Sequence, residues 1–163
     1  MNDINTLGIA IGGSLGSSKE EMYEVVNFTA PKLGNKNLIH LLGIGDPTDI
    51  WKLVKSGIDT FDCVSPTRLA RHGSALIKGK IGKKNIKNNE YSNDLSPIDI
   101  NCACSTCKKY SIAYLHHLFK SGELLGLQPI TAHNIYFMNE LMQLIRDSIK
   151  NDFLEEAEKE WLS

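Results

Sequence analysis

Leu38-Ile39-His40-Leu41-Leu42-Gly43-Ile44-Gly45-Asp46-Pro47 decides the fold class. Five mostly apolar residues end in a Gly-x-Gly turn, and Asp-Pro then opens a helical pattern with Ile50, Leu53 and Val54 on one face. An aspartate at the cap and a proline at the first helical position are the ordinary start of a helix. The stretch predicts a strand, a tight turn and a helix closed by Ser56-Gly57. The flanks repeat the pattern. Upstream, Leu7 to Ile11 is an apolar run ending in Gly12-Gly13. Ser17 and Ser18 there cap a helix through Glu20, Glu21, Met22, Val25, Val26 and Phe28 that runs to Pro31. Downstream, Ile58 to Val64 predicts a third strand. Strand, helix, strand, helix, strand means two consecutive βαβ units and a parallel sheet, hence an α/β protein.

Beyond this region the pattern changes. Residues 78–101 are polar and rich in Gly and Asn, and suit loops or short hairpins. Helices are predicted over about 108–121, 131–150 and 153–161. The second presents Ile135, Met138, Leu141, Met142 and Ile145 as its core face. The expected division is 1–77 and 78–163.

The 163 residues suffice for one domain with a real core. They fall short of the roughly 200 that a closed (β/α)8 barrel requires. Hydrophobic residues make up 42% and charged residues 23%, which excludes a disordered class. No apolar run approaches the roughly 18 residues of a membrane span, and the first five residues lack the form of a signal peptide. The expectation is a soluble, cytoplasmic protein. A net charge of −1 argues against non-specific nucleic-acid binding. It hides a run from Arg68 to Lys87 that holds Arg68, Arg71, Lys78, Lys80, Lys83, Lys84 and Lys87 with no acidic residue, and such a patch can meet phosphate.

Three features carry chemistry. Cys102, Cys104 and Cys107 form C-x-C-x-x-C, with His133 downstream and His116 and His117 as competing fourth ligands. Three thiolates and an imidazole suit a closed, tetrahedral, structural zinc site. Disulfides are disfavoured by the close spacing and by a reducing compartment. Asp62 lies near the end of the third strand, where parallel α/β sheets build active sites, and is read there as nucleophile, base or ion-pair carboxylate. Asp59 is an odd number of residues away and points to the other face. Cys63 is read as a small buried hydrophobe. The turns Gly12-Gly13-Ser14-Leu15-Gly16 and Gly43-Ile44-Gly45 let backbone N–H groups approach a ligand, and neither matches the dinucleotide fingerprint.

Taken together, several segments resemble one family, the tRNA-guanine transglycosylases or queuine tRNA-ribosyltransferases. They are Ala10-Ile11-Gly12-Gly13, Leu42-Gly43-Ile44-Gly45-Asp46-Pro47, and Gly57 to Arg68 with Phe61-Asp62-Cys63 at its centre. Arg71 with Gly73, the C-x-C-x-x-C run, Tyr114-Leu115-His116-His117-Leu118 and His133-Asn134-Ile135 complete the set. The likeness covers about residues 6–150 and concerns the C-terminal part of the family. It implies the last three strands of a (β/α)8 TIM-type barrel, a zinc-binding subdomain and C-terminal helices. The implied activity replaces guanine at the wobble position of GUN-anticodon tRNAs by a 7-deazaguanine base, through a covalent link between Asp62 and ribose.

By the same resemblance, Gly13 would contact the base. Gly43, Ile44, Gly45, Asp46, Pro47, Thr48 and Asp49 would lie along the RNA, and Thr67, Arg68, Leu69, Ala70 and Arg71 would read the anticodon neighbourhood. Cys102, Cys104, Cys107 and His133 would hold one Zn2+. A homodimer, or association with a complementary N-terminal half, is expected. Two departures stand out. The earlier strands are absent, and Ser18 replaces a glutamate that helps read the incoming base. Gly16 is a residue of the queuine-using type. The alternative is a non-catalytic, zinc-stabilised tRNA-binding or partner subunit.

Overall fold

The computed structural model describes residues 6–13, 15–33, 37–79 and 82–163. Ser14 of the first glycine turn, Lys80 of the basic run and the first five residues lie outside them. The chain is mixed α/β, with small sheets and helices, and forms two compact units, residues 1–64 and 65–163. The break falls ahead of the one expected after Ile77, because the segment that follows Val64 packs within the second unit.

The first unit contains β1 (Gly8–Ile11), α1 (Lys19–Leu33), β2 (Leu38–Leu41), α2 (Pro47–Lys55) and β3 (Thr60–Phe61). The sheet order is β1-β2-β3 and both pairings are parallel, as the βαβ reading requires. Side chains alternate between faces along a strand. Ile11, Ile39 and Leu41 are buried with Met22, Val26 and Ala30 of α1, Leu53 of α2, and Ile58. Gly8, Ala10, Leu38 and Leu42 stay exposed on the other parity.

Three boundaries differ from expectation. β3 has two residues rather than seven: ahead of it the Asp59 carboxylate, in place of a backbone carbonyl, accepts from the Ile39 N–H at 2.7 Å, while the Asp59 N–H still donates to the Ile39 carbonyl at 2.9 Å. α1 continues past Pro31 to Leu33, since proline in a final turn sacrifices only a bond close to the fraying end. Cys63 is half-buried rather than buried. It sits so close to Gly45 that a Cβ there would lie 2.4 Å from the Cys63 Cβ, which accounts for the glycine.

The second unit contains α3 (Ser65–Arg71), β4 (Ser74–Leu76), β5 (Lys83–Asn85), α4 (Ser105–Lys109), α5 (Ile112–Lys120), α6 (Leu127–Lys150) and α7 (Leu154–Leu162). β4 and β5 form an antiparallel hairpin, and its second strand falls in the 78–101 region expected to hold loops or short hairpins. Ala70, Ala75, Ile86, Ile98, Ile112, Leu115 and Ile130 make its core. The helix expected over 108–121 is two helices. Ser111 starts the second by accepting the Tyr114 N–H on its hydroxyl at 3.3 Å. α6 begins at Leu127, since Pro129 falls in its first turn, where the missing N–H costs nothing. Its inward face is Ile130, His133, Asn134, Phe137, Leu141, Ile145 and Ser148. Ile135, expected in the core, is exposed.

Candidate functional site

Two sites take shape, one in each unit. In the first, the parallel register sets His40 opposite Thr60. Asp62 follows two residues later and therefore shares the open face of the sheet. The His40 ring bridges them: its Nδ1 lies 2.8 Å from Thr60 Oγ1 and its Nε2 lies 3.1 Å from Asp62 Oδ1. The Gly43 N–H, from the turn after β2, donates to the same Oδ1 at 3.2 Å. Gly43 has a φ of 78°, a conformation glycine adopts without strain, and this aims its amide at the carboxylate. The Asp62 side chain remains 59% exposed. A carboxylate fixed through one oxygen and open to solvent has the disposition a nucleophile needs.

The turn that precedes α2 is built by Asp46. Its carboxylate accepts from the Thr48 N–H at 3.0 Å and from the Thr48 hydroxyl, capping the helix. Partial burial raises the Asp46 pKa, but the Thr48 donors and the Lys19 ammonium outweigh that and hold it below 3.8. Gly43, Asp46 and Thr48 are exposed, Ile44 and Pro47 are half-buried, and Gly45 is buried. Asp49 turns inward: it is 5% exposed and accepts from Lys19 Nζ at 2.8 Å and from the Tyr23 hydroxyl at 2.6 Å. Its carboxylate therefore serves the packing of α1 on α2. Burial and the neighbouring Asp49 carboxylate raise the pKa of Tyr23 well above its ordinary value. Gly13 is exposed with a φ of 91°.

On α3 of the second unit, Arg68 and Arg71 are both exposed, three residues apart and so on one helical face. Thr67 and Leu69 are half-buried, and Ala70 is buried in the core. Part of the basic run serves the fold. Lys84 Nζ donates to the Ile98 carbonyl at 2.8 Å, and Lys78 lies over the Trp161 ring.

The second site brings together Cys102, Cys104, Cys107 and His133, whose ligand atoms all lie within 4.8 Å of one another. The three Sγ atoms are 3.7, 3.4 and 3.4 Å from His133 Nδ1. A tetrahedral zinc ion with ordinary bond lengths sets a sulfur-to-nitrogen edge of about 3.6 Å. The set therefore fits one structural zinc ion, with all four positions filled by protein. The tautomer agrees. His133 Nε2 lies 2.8 Å from the Leu76 carbonyl, to which it can only donate, so Nδ1 carries the lone pair.

Burial pushes the Cys107 thiol up to about 12, and burial lowers the pKa of His133. Crowded thiols that resist ionisation alone are what a cation relieves. Among the described residues the cysteines form no disulfide. The competing histidines are placed elsewhere: His116 is buried with its Nδ1 2.8 Å from the Ile86 carbonyl, and His117 is exposed on α5.

Two residues escaped the sequence reading. His40 sits inside an apolar run and looks like one more strand position. Asn134, next to the zinc ligand, is fully buried. Its Oδ1 accepts from the Leu76 N–H at 2.8 Å, and its Nδ2 donates to the Pro66 and Ser74 carbonyls at 2.9 and 3.0 Å. The parity of His40 with Thr60 and Asp62 would have shown the first, once the strands are aligned.

The family profile described as queuine tRNA-ribosyltransferase matches residues 1–163. Three curated relatives carry that name. One from Roseiflexus sp. (strain RS-1) is 47% identical over 95% of this chain and 39% of its own length. One from Dictyoglomus turgidum is 44% identical over 100% and 42%, and one from Clostridium acetobutylicum is 45% identical over 95% and 41%. The chain thus spans about two fifths of the length of the curated relatives it matches, corresponding to their C-terminal part. Among the described residues, no helix is long and apolar enough to cross a membrane.

Proposed function

The chain belongs to the queuine tRNA-ribosyltransferase family, and from that premise we propose that it supplies the nucleophile-bearing part of a tRNA-guanine transglycosylase. Its three parallel strands would be the last three of a (β/α)8 barrel. In family terms residues 1–77 would be the barrel part and 78–163 the zinc-bearing part, with residues 65–77 packed onto the latter. The observation that carries the reading is the Asp62 carboxylate. It is exposed at the end of a parallel strand, with one oxygen held by His40 and Gly43.

In the proposed reaction one Asp62 oxygen attacks C1′ of the wobble nucleotide of a GUN-anticodon tRNA. The C1′ to N9 bond breaks, and guanine leaves with the bonding pair. The carbon passes through oxocarbenium character, the same electrophile a retaining glycosidase captures with a carboxylate. Guanine takes up a proton at N9 as it leaves, and a 7-deazaguanine base, the pre-queuosine base or queuine, then attacks C1′ through N9, gives up its own N9 proton and returns the pair to Asp62. Splitting one displacement into two lets a single pocket hold first the departing and then the incoming base. Gly13 would offer its backbone to that base.

The turn from Gly43 to Thr48 would lie along the RNA by its backbone and exposed side chains. Arg68 and Arg71 would supply planar cations for phosphate or base edges. Zinc at Cys102, Cys104, Cys107 and His133 would tie the cysteine loop to α6 and stabilise the fold. Work in the cytoplasm, as a homodimer or with a complementary N-terminal half, fits this reading.

The test is exchange of labelled guanine into a GUN-anticodon tRNA, by this chain alone and with the N-terminal remainder of a relative added. Incorporation in the mixture, abolished by Asp62→Ala, is the expected result. The cluster that fits zinc and the exposed Arg68 and Arg71 also support one second reading, a zinc-stabilised tRNA-binding or partner subunit without chemistry. Under that reading Asp62→Ala leaves RNA affinity intact and there is no exchange to lose.

A further inference from the structure

We infer that His40 is a positioning residue for the Asp62 nucleophile, its Nε2–H holding Oδ1 so that Oδ2 is the oxygen that attacks. This deepens the reading of Asp62 proposed above and rests on it. Asp62 Oδ1 can only accept, so the His40 Nε2 at 3.1 Å carries the proton. In a neutral ring Nδ1 is then an acceptor, and the Thr60 hydroxyl at 2.8 Å donates to it. Thr60, His40 and Asp62 thus form one directional chain on the open sheet face, and the Gly43 N–H adds a second donor to the same oxygen.

The consequence is chemical. An Asp62 side chain that is 59% exposed would otherwise sample several rotamers. Two donors converging on Oδ1 from the end of β2 fix the carboxylate plane and orient the pair on Oδ2, and such orientation is a large part of what catalysis gains from a rigid site. When Oδ2 bonds to C1′ and the C1′ to N9 bond breaks, Oδ1 becomes the carbonyl oxygen of the ester and keeps both hydrogen bonds. When the second base attacks, the C1′ to Oδ2 bond breaks and its pair returns to the carboxylate. The same two donors receive the restored charge. His40 therefore acts in both half-reactions and exchanges no proton in either.

Two measurements test this on the full chain. The first is nitrogen-correlated NMR of the His40 ring at neutral pH. The expected result is the Nε2–H tautomer with a proton protected from exchange, and loss of that protection in Asp62→Ala. An Nδ1–H tautomer, or protection unchanged in Asp62→Ala, overturns the inference. The second is the rate of covalent tRNA trapping with the N-terminal remainder present. His40→Leu is expected to slow trapping by roughly tenfold to a hundredfold, the range for losing a hydrogen bond to a charged group, with tRNA affinity unchanged. His40→Gln, whose amide N–H reaches a comparable point, should recover most of the rate, which a merely structural role would not give. Trapping by His40→Leu at the wild-type rate overturns the inference. If the unaltered chain traps no tRNA while the ring behaves as expected, the transglycosylase reading fails and the geometric inference stands on the NMR result.

Discussion

The two units solve the problem of a small core in opposite ways. The first covers one face of a three-stranded sheet with two helices and leaves the other open, with Leu38 59% and Leu42 46% exposed. The second encloses its core and pins it with polar side chains: His133 and Asn134, both fully buried, each grip the backbone of β4. Where apolar burial is incomplete, chemistry has room. Asp62 and His40 sit on the uncovered face, and the cysteine cluster is buried at Cys104 and half-buried at Cys102 and Cys107. The contrast teaches that this chain separates its open, solvent-facing carboxylate from its source of rigidity. Each unit can then be perturbed with a distinct readout.

The sharpest way to break that contrast is to remove the metal. Structural zinc in small domains contributes on the order of 10 kcal/mol, because the site does not survive unfolding. Chelation, or Cys104→Ser, should therefore melt residues 65–163. The His40 and Asp62 resonances of the first unit should keep their positions. The check is NMR of the full chain, titrated with a chelator and followed by thermal unfolding. If both units lose their signals together, the separation of roles is wrong.

Asn134→Ala sharpens the same contrast at smaller amplitude. The substitution leaves the Leu76 N–H and the Pro66 and Ser74 carbonyls without their partner in a buried setting. Losses of this kind cost about 1 to 3 kcal/mol per buried group, not fully additive, so roughly 2 to 5 kcal/mol is expected here. Asn134→Asp should fare no better, since a carboxylate cannot donate to the two carbonyls. Denaturant midpoints of the second unit measure both. Because Leu76 also receives His133, zinc affinity should fall alongside stability.

How much of this was legible beforehand differs between the units for a physical reason. In the first, the alternation of apolar runs with capped helical patterns carried the strand order, since parallel topology follows from connectivity alone. What escaped was His40, because a strand with one covered face hides its polar positions among apolar neighbours. The shortness of β3 escaped too, because ahead of it the Ile39 N–H goes to the Asp59 carboxylate rather than to backbone. In the second, cysteine spacing exposed the metal ligands, since soft donors at close range have few other uses. The inward face of α6 was placed correctly at Leu141 and Ile145 but wrongly at Ile135, because the anchors beside that position are polar. A reading that follows only apolar residues slides to Ile135, when the helix is fixed in place by His133 and Asn134. The helix expected over 108–121 ran through the break at Ser111, whose hydroxyl caps α5.

The smallest effect is expected at Asp46, where the first unit depends on charge in a way the Asn134 network does not. Thr48 and Lys19 hold the Asp46 carboxyl below its ordinary value of 3.8, against partial burial. A carboxyl depressed by folding contributes stability that is present above the unfolded value and is lost as the pH falls through the folded one. Asp46→Ala should therefore destabilise the first unit by about 1 kcal/mol at neutral pH, the usual worth of a helix cap. The Lys19 pair adds little, since both side chains are about half exposed and solvent screens them. The gap between wild type and Asp46→Ala should close as the pH drops below 3.8, as measured by urea unfolding across an acid series. A gap that stays constant into acid would mean that the turn before α2 owes its shape to Pro47 and Gly45 alone. The carboxylate would then be spectator to the very loop that presents the Gly43 amide to Asp62.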